Sequence, residues 1–372
     1  MQKTTVSIVQ RRLTHYRVPL FELLRRELAP FDIDLQLHVG NGTQAEQLKR
    51  DSGVLDWAKK IPTRYFLKDR LCWQPVLKLA RRSDLLIVTQ ENALLANHIL
   101  LWQPRLFKLA FWGHGANLQA SAGFSFSERY KKWTTRQVDW WFAYTDLSVD
   151  LVCNAGFPED RITCLNNAID TSSLQDAIDN VTSAEVEALS ADLNMTGGPV
   201  GMFLGSLYKH KRLDFLIKAA TLIKRQIPDF HLVIVGDGPE KDHLRSLTKD
   251  HLWVHVVGPK HGKEKAAYLA IPDLILNPGL VGLNVLDSFA AGVPMVTTQC
   301  GIHSPEISYL SDENGIITDN DVQSYSQACI DLMANRSERK RLSIGCKHSA
   351  RQYSLESMSK NFAQGILSVL KA

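Results

Sequence analysis

Residues Asn277–Thr298 read NPGLVGLNVLDSFAAGVPMVTT, and the fold class follows from them. An apolar strand (Leu274, Ile275, Leu276) runs into a Pro-Gly turn, and a helix follows that carries Asp287 about two turns in. Gly292 and Pro294 end that helix, and a new strand begins at Met295 and Val296. A strand, a glycine-bearing loop and a helix N-terminus make a place for an anion. Backbone N–H groups point outward there, and the helix dipole favours negative charge. A docking site for a nucleotide diphosphate is the reading that this pattern supports.

The same alternation extends in both directions. Toward the N-terminus, strands are expected at 4–9, 32–39, 84–88, 108–112 and 140–143. Between them lie an amphipathic helix from about Pro19 to Leu28 and a basic helical stretch near 129–136. Residues 43–80 give a mixed signal with a basic cast. After a polar helical segment at 171–198 a second series begins, with strands at 200–204, 231–235, 254–257 and 315–318 around the opening stretch. Helices at 322–334, 337–350 and 355–371 close the chain, the last with Met358, Phe362, Ile366 and Leu370 on one face. Strands that alternate with helices imply parallel, doubly wound sheets. At 372 residues the chain exceeds one ordinary core, so two domains of roughly 150–200 residues are expected.

Composition narrows the classes. No apolar run approaches the ~20 residues of a membrane span. The N-terminus MQKTTVSIVQRR suits a first strand better than a secretory leader. The expected location is the cytoplasm. Six cysteines lie scattered without a CxxC pair, which argues against a disulfide framework or a zinc site. Residues 1–165 hold 23 Lys+Arg against 16 Asp+Glu, a net +7, and the remainder is net −3. The basic half suits a polyanionic partner or an anionic membrane surface, or else is a solvated surface.

Five pieces, in order, carry a family resemblance: GSLYKHKRLDFLIKA (205–219), VIVGDGP (233–239), VVGPKHG (256–262), the opening stretch, and the terminal helix beginning YSLES (353–357). Together they resemble the family 4 glycosyltransferases, retaining enzymes of the GT-B fold, over most of residues 5–365. The resemblance implies an α/β architecture of two Rossmann-like parallel-sheet domains facing a cleft. Residues 1–166 would form the acceptor domain and 167–350 the nucleotide-sugar donor domain. Residues 351–372 would form a helix crossing back to the first.

The resemblance also implies roles. Asp287 stands where the family's second glutamate meets the ribose hydroxyls, and Gly279 replaces its first. The loop Gly279, Leu280, Val281, Gly282 and Leu283 would then offer backbone N–H groups to sugar or phosphate. Lys211 would neutralise the diphosphate leaving group, where charge grows in the transition state. Ser206 replaces the family's usual arginine and donates one neutral hydrogen bond, with Lys209 or Arg212 as substitutes. Gly258 would lie against the nucleobase. His303 and Glu306 fall in a loop expected near the sugar. His114, at a strand end, would contact the transferred group. Arg11, Arg12, His15, Arg17 and Glu91 are candidates for acceptor contacts, and a solvated basic loop is the plain alternative. A surface-polysaccharide subgroup is implied, with transfer of a hexose to a glycan or polyprenyl-linked acceptor for O-antigen, capsule or exopolysaccharide. Contact with the inner membrane would be peripheral. No cofactor, metal or nucleic acid is expected, because lysine and dipole charge stand in for magnesium. The rival readings are a nucleotide-sugar 2-epimerase of the same fold, a non-catalytic nucleotide-sugar binder and a lipid-surface scaffold.

Overall fold

The computed structural model describes residues 3–47, 51–115, 126–195 and 197–372. The chain divides into two compact units, Met1–Ile169 with Leu355–Ala372, and Asp170–Ser354. In the first unit the strands are β1 Thr4–Gln10, β2 Ile33–Val39, β3 Lys59–Lys60, β4 Arg64–Phe66, β5 Leu71–Trp73, β6 Leu85–Thr89, β7 Lys108–Gly113, β8 Trp140–Ala143 and β9 Ile162–Cys164. Seven of them form one sheet in the order β3-β2-β1-β6-β7-β8-β9, with every pairing parallel. The mixed region 43–80 contributes the antiparallel hairpin β4–β5 and short pieces whose sequence has no clear period.

The second unit holds β10 Val200–Leu204, β11 His231–Val235, β12 Val254–Gly258, β13 Leu274–Leu276, β14 Met295–Thr298 and β15 Gly315–Thr318. They form one parallel sheet in the order β12-β11-β10-β13-β14-β15. Strands β10, β11, β13 and β14 are buried along their whole length. That is why they read as continuous apolar runs and not as alternating ones. The helices Leu213–Gln226 and Val322–Ala334 pack on one face through Leu216, Ala220, Tyr325 and Cys329. Strand order reverses between β10 and β13, and ligands of open α/β sheets bind beside the strand C-termini at such a point.

The terminal helix Leu355–Lys371 belongs to the first unit and packs on the helix Val18–Leu28. Phe362 is fully buried, 5.0 Å from the Trp112 ring and 4.6 Å from that of Phe142. Gly365 makes the close approach possible. A Cβ there would lie 2.5 Å from Thr163 Oγ1 and 2.6 Å from Phe142 Cε1.

Candidate functional site

The opening stretch folds into β13, a buried loop, the helix Asn284–Ala291 and β14. The helix begins later than the sequence suggests, so Asp287 lies in its first turn and not two turns in. This places the carboxylate nearer the helix N-terminus than expected. The loop is fixed by its own contacts. A Cβ on Gly279 would lie 2.3 Å from His210 O and 2.6 Å from Lys211 O, so the backbone of the turn Lys209–Lys211 occupies the space a side chain needs. The Leu280 N–H donates to His210 O at 2.9 Å and locks the two segments together.

His303 completes the lock. Its Nδ1 accepts from the Val281 N–H at 3.1 Å, so the proton is on Nε2, which lies 2.7 Å from Thr298 O. The Gly282 N–H donates to Asn284 Oδ1 at 3.1 Å. Three loop N–H groups expected to face a ligand therefore have protein acceptors. Those of Leu283 and Asn284 have none among the described residues. His303 is a strut for the loop, and Glu306 is buried in the one-turn segment Pro305–Tyr309.

Lys211 lies under this loop, 4% exposed. Its ammonium donates to Leu280 O at 2.5 Å and sits 5.9 Å from the Tyr208 ring centre. Burial lowers its pKa to about 8, so it is still mostly charged at neutral pH. Ser206 is exposed just beyond β10, and Lys209 is exposed as well. Arg212 is otherwise committed. It caps the helix Leu213–Gln226 from a left-handed conformation and donates to Pro278 O, Thr298 Oγ1 and Asn320 Oδ1. Gly258 ends β12 with open space on its side-chain side.

Two residues here were not singled out from the sequence. Lys265, on the helix Gly262–Leu269, donates to Asp287 Oδ1 at 2.6 Å. Cys300 lies 3.3 Å from His303 Nε2. Burial pushes its thiol up, but hydrogen bonds from His303 and the Ile302 backbone outweigh this and bring it to about 7. In the sequence Lys265 is one cation of a Lys-Glu-Lys run that reads as a solvated helix face, and only tertiary packing shows its partner.

The N-terminal candidates lie in the first unit. Arg11 makes a bidentate pair with Glu46, both bonds 2.7 Å, and also donates to Glu91 at 3.2 Å and Tyr65 at 3.1 Å. Arg12 pairs in the same way with Asp51 at 2.7 and 3.0 Å. These guanidinium groups are thus neutralised by carboxylates distant in sequence. His15 is exposed, its Nδ1 3.2 Å from Asp51 O. Arg17 is buried, donates to Asn167 Oδ1 at 2.6 Å and faces the rings of Tyr16, Trp112 and Tyr144. His114 follows β7, edge-on to Tyr144 at 4.4 Å. Although it keeps solvent contact, desolvation by surrounding protein and then the Arg17 cation lower its pKa to about 4, leaving a neutral ring.

Among the described residues no helix is long and apolar enough to cross a membrane. Residues 198–335 match the family described as Glycosyl transferases group 1. A GDP-mannose-dependent phosphatidylinositol monomannoside mannosyltransferase from Mycolicibacterium smegmatis is 31% identical over 166 residues, 41% of this chain and 43% of that protein. The lipopolysaccharide core biosynthesis glycosyltransferase LpsE of Rhizobium meliloti is 27% identical over 175 residues, 45% of this chain and 49% of that protein. The matched stretch thus spans about half the length of these relatives. Among solved structures, a glycosyltransferase from Rickettsia africae superimposes with a TM-score of 0.71 at 15% identity, covering 100% of both chains. Anabaena HepE, solved in complex with UDP, gives 0.70 at 14% identity, covering 98% of this chain and 100% of that one. The chain therefore has the GT-B fold of these solved structures, and its residues 198–335 resemble the group 1 glycosyltransferases.

Proposed function

We propose that the protein is a retaining glycosyltransferase. It would move a sugar from a nucleoside diphosphate donor to a glycan or lipid-linked acceptor in bacterial surface-polysaccharide assembly. The observation that carries the donor site is the buried ammonium of Lys211 beneath the Gly279–Gly282 loop. A charged group withdrawn from water at a strand C-terminus is costly unless an anion comes to meet it. With a donor in place the ammonium would swing from Leu280 O to the diphosphate, while Leu283 and Asn284 N–H groups and the helix dipole add charge stabilisation. Asp287 would accept from the ribose. Its carboxylate is engaged with the Lys265 ammonium, which suits binding better than attack on a sugar carbon. Retention is therefore assigned to front-side attack assisted by the leaving group, and not to a covalent intermediate.

The polysaccharide setting rests on the likeness to LpsE and to the mannosyltransferase acting on a lipid. Peripheral contact with the inner membrane rests on the basic first half of the chain. No metal is assigned to the reaction, since Lys211 takes the role of the divalent ion.

A thermal-shift series with UDP, GDP and their sugars tests the reading. At least one nucleoside diphosphate raises the melting temperature, because a ligand that binds only the folded state stabilises it by mass action. Lys211→Met weakens that ligand by about 2 kcal/mol, roughly thirtyfold. EDTA leaves binding and transfer unchanged. A flat series across all nucleotides overturns the proposal. Transfer that is lost in EDTA and regained with magnesium overturns the metal-free assignment alone.

A further inference from the structure

We infer that Lys265 is a second ribose-reading residue, which works with Asp287 to select nucleotides carrying an intact vicinal diol. The inference rests on the donor-site reading just proposed. Lys265 occupies the first turn of the helix Gly262–Leu269. A cation there faces the positive end of the helix dipole and is disfavoured. Its compensation comes from Asp287, 2.6 Å away in the first turn of the helix Asn284–Ala291. Both side chains are mostly withdrawn from water, 23% and 10% exposed. Ordering a long lysine side chain costs rotamer entropy, and desolvating both ions offsets much of their attraction, so that an apolar pair of similar volume would serve folding about as well. Folding alone therefore gives little reason for a lysine at this place.

The pair leaves binding capacity unspent. Asp287 Oδ1 is taken by Lys265, and Oδ2 has no protein donor among the described residues. An ammonium has three hydrogens, and one of them goes to Asp287. A free acceptor and free donors then stand side by side at the C-terminal edge of the sheet. Each hydroxyl of a ribose diol can both donate and accept. One hydroxyl donates to Oδ2 while its neighbour accepts from the ammonium. The ammonium also neutralises the carboxylate, which would otherwise repel the nucleotide's own charge. A deoxy sugar leaves one hydrogen-bonding position of the pair unfilled, and sites built on such groups reject analogues that lack the hydroxyl.

The test measures dissociation constants by calorimetry on the full chain for UDP and GDP and for their 2′-deoxy and 3′-deoxy counterparts. The wild-type protein prefers one ribonucleotide over a deoxy counterpart by about tenfold or more. In Lys265→Met that ratio falls to about threefold or less in a protein that circular dichroism shows to be folded, and Lys265→Arg restores part of it. A ratio unchanged in Lys265→Met overturns the inference, and so does a wild-type protein that does not distinguish ribose from deoxyribose. The first result leaves the donor-site reading standing, whereas the second also removes Asp287 from it and leaves only the diphosphate contact of Lys211. A wild-type protein that binds no nucleoside diphosphate removes both.

Discussion

At the residue scale, Gly279 shows how a replaced side chain can be read two ways. From the sequence it is a lost glutamate, and the loop is expected to compensate with its backbone. In the structure the missing side chain is what lets the loop lie against the Lys209–Lys211 turn. Gly279→Ala is therefore expected to lower stability by about 1–3 kcal/mol through overpacking, and Gly279→Glu by more. Both lower the melting temperature and weaken nucleotide binding, because the strained loop no longer holds the Lys211 segment. A melting temperature unchanged in Gly279→Glu would contradict the packing argument. That Asp287 and Lys211 lie at this loop was legible because residue type and spacing survive in the chain. Lys265 was not, nor was the neutralisation of Arg11 by Glu46 and Glu91. Those partners lie 22, 35 and 80 positions away, and no local pattern encodes them.

At the scale of elements, the sheets were legible for a physical reason. A parallel strand covered on both faces must be apolar throughout, as β11 (HLVIV) and β13 (LIL) are. The hairpin β4–β5 was missed because its strands are three residues long and half exposed, so neither run nor alternation marks them. The terminal helix was legible from its apolar stripe. Its depth was not, since Gly365 reads as a weak helix former and is in fact a point of close approach to β8 and β9. Phe362→Ala removes a fully buried ring between Trp112 and Phe142. The expected cost is about 3–5 kcal/mol, measurable by denaturant unfolding. A cost under about 1 kcal/mol would mean that the helix is not part of the first unit's core.

At the scale of the whole molecule, each unit contains histidines held neutral. Burial, and then Lys59, lower His38 to about 4. Neither of its ring nitrogens has a partner among the described residues. Burial, and then His231 and Lys224, lower His255 to about 4. With folded values below the unfolded one, the unfolded chain binds more protons between about pH 6.5 and 4. Stability is therefore complete above about 6.5 and is lost as pH falls through that window. Denaturant midpoints measured at successive pH values should decline across it. His38→Leu should raise the midpoint and flatten the decline, since it also removes two unpaired buried nitrogens. A midpoint flat from pH 7 to 4 would contradict this.

The division of the chain also sets an order of events during synthesis. Residues 170–354 form one unit without interruption, whereas the other joins residues 1–169 to residues 355–372. A ribosome releases these in sequence, and domains fold as units once their chain is available. Trp112 and Phe142 stay uncovered until Phe362 emerges, so residues 1–169 are made before residues 170–354 and complete their core after them.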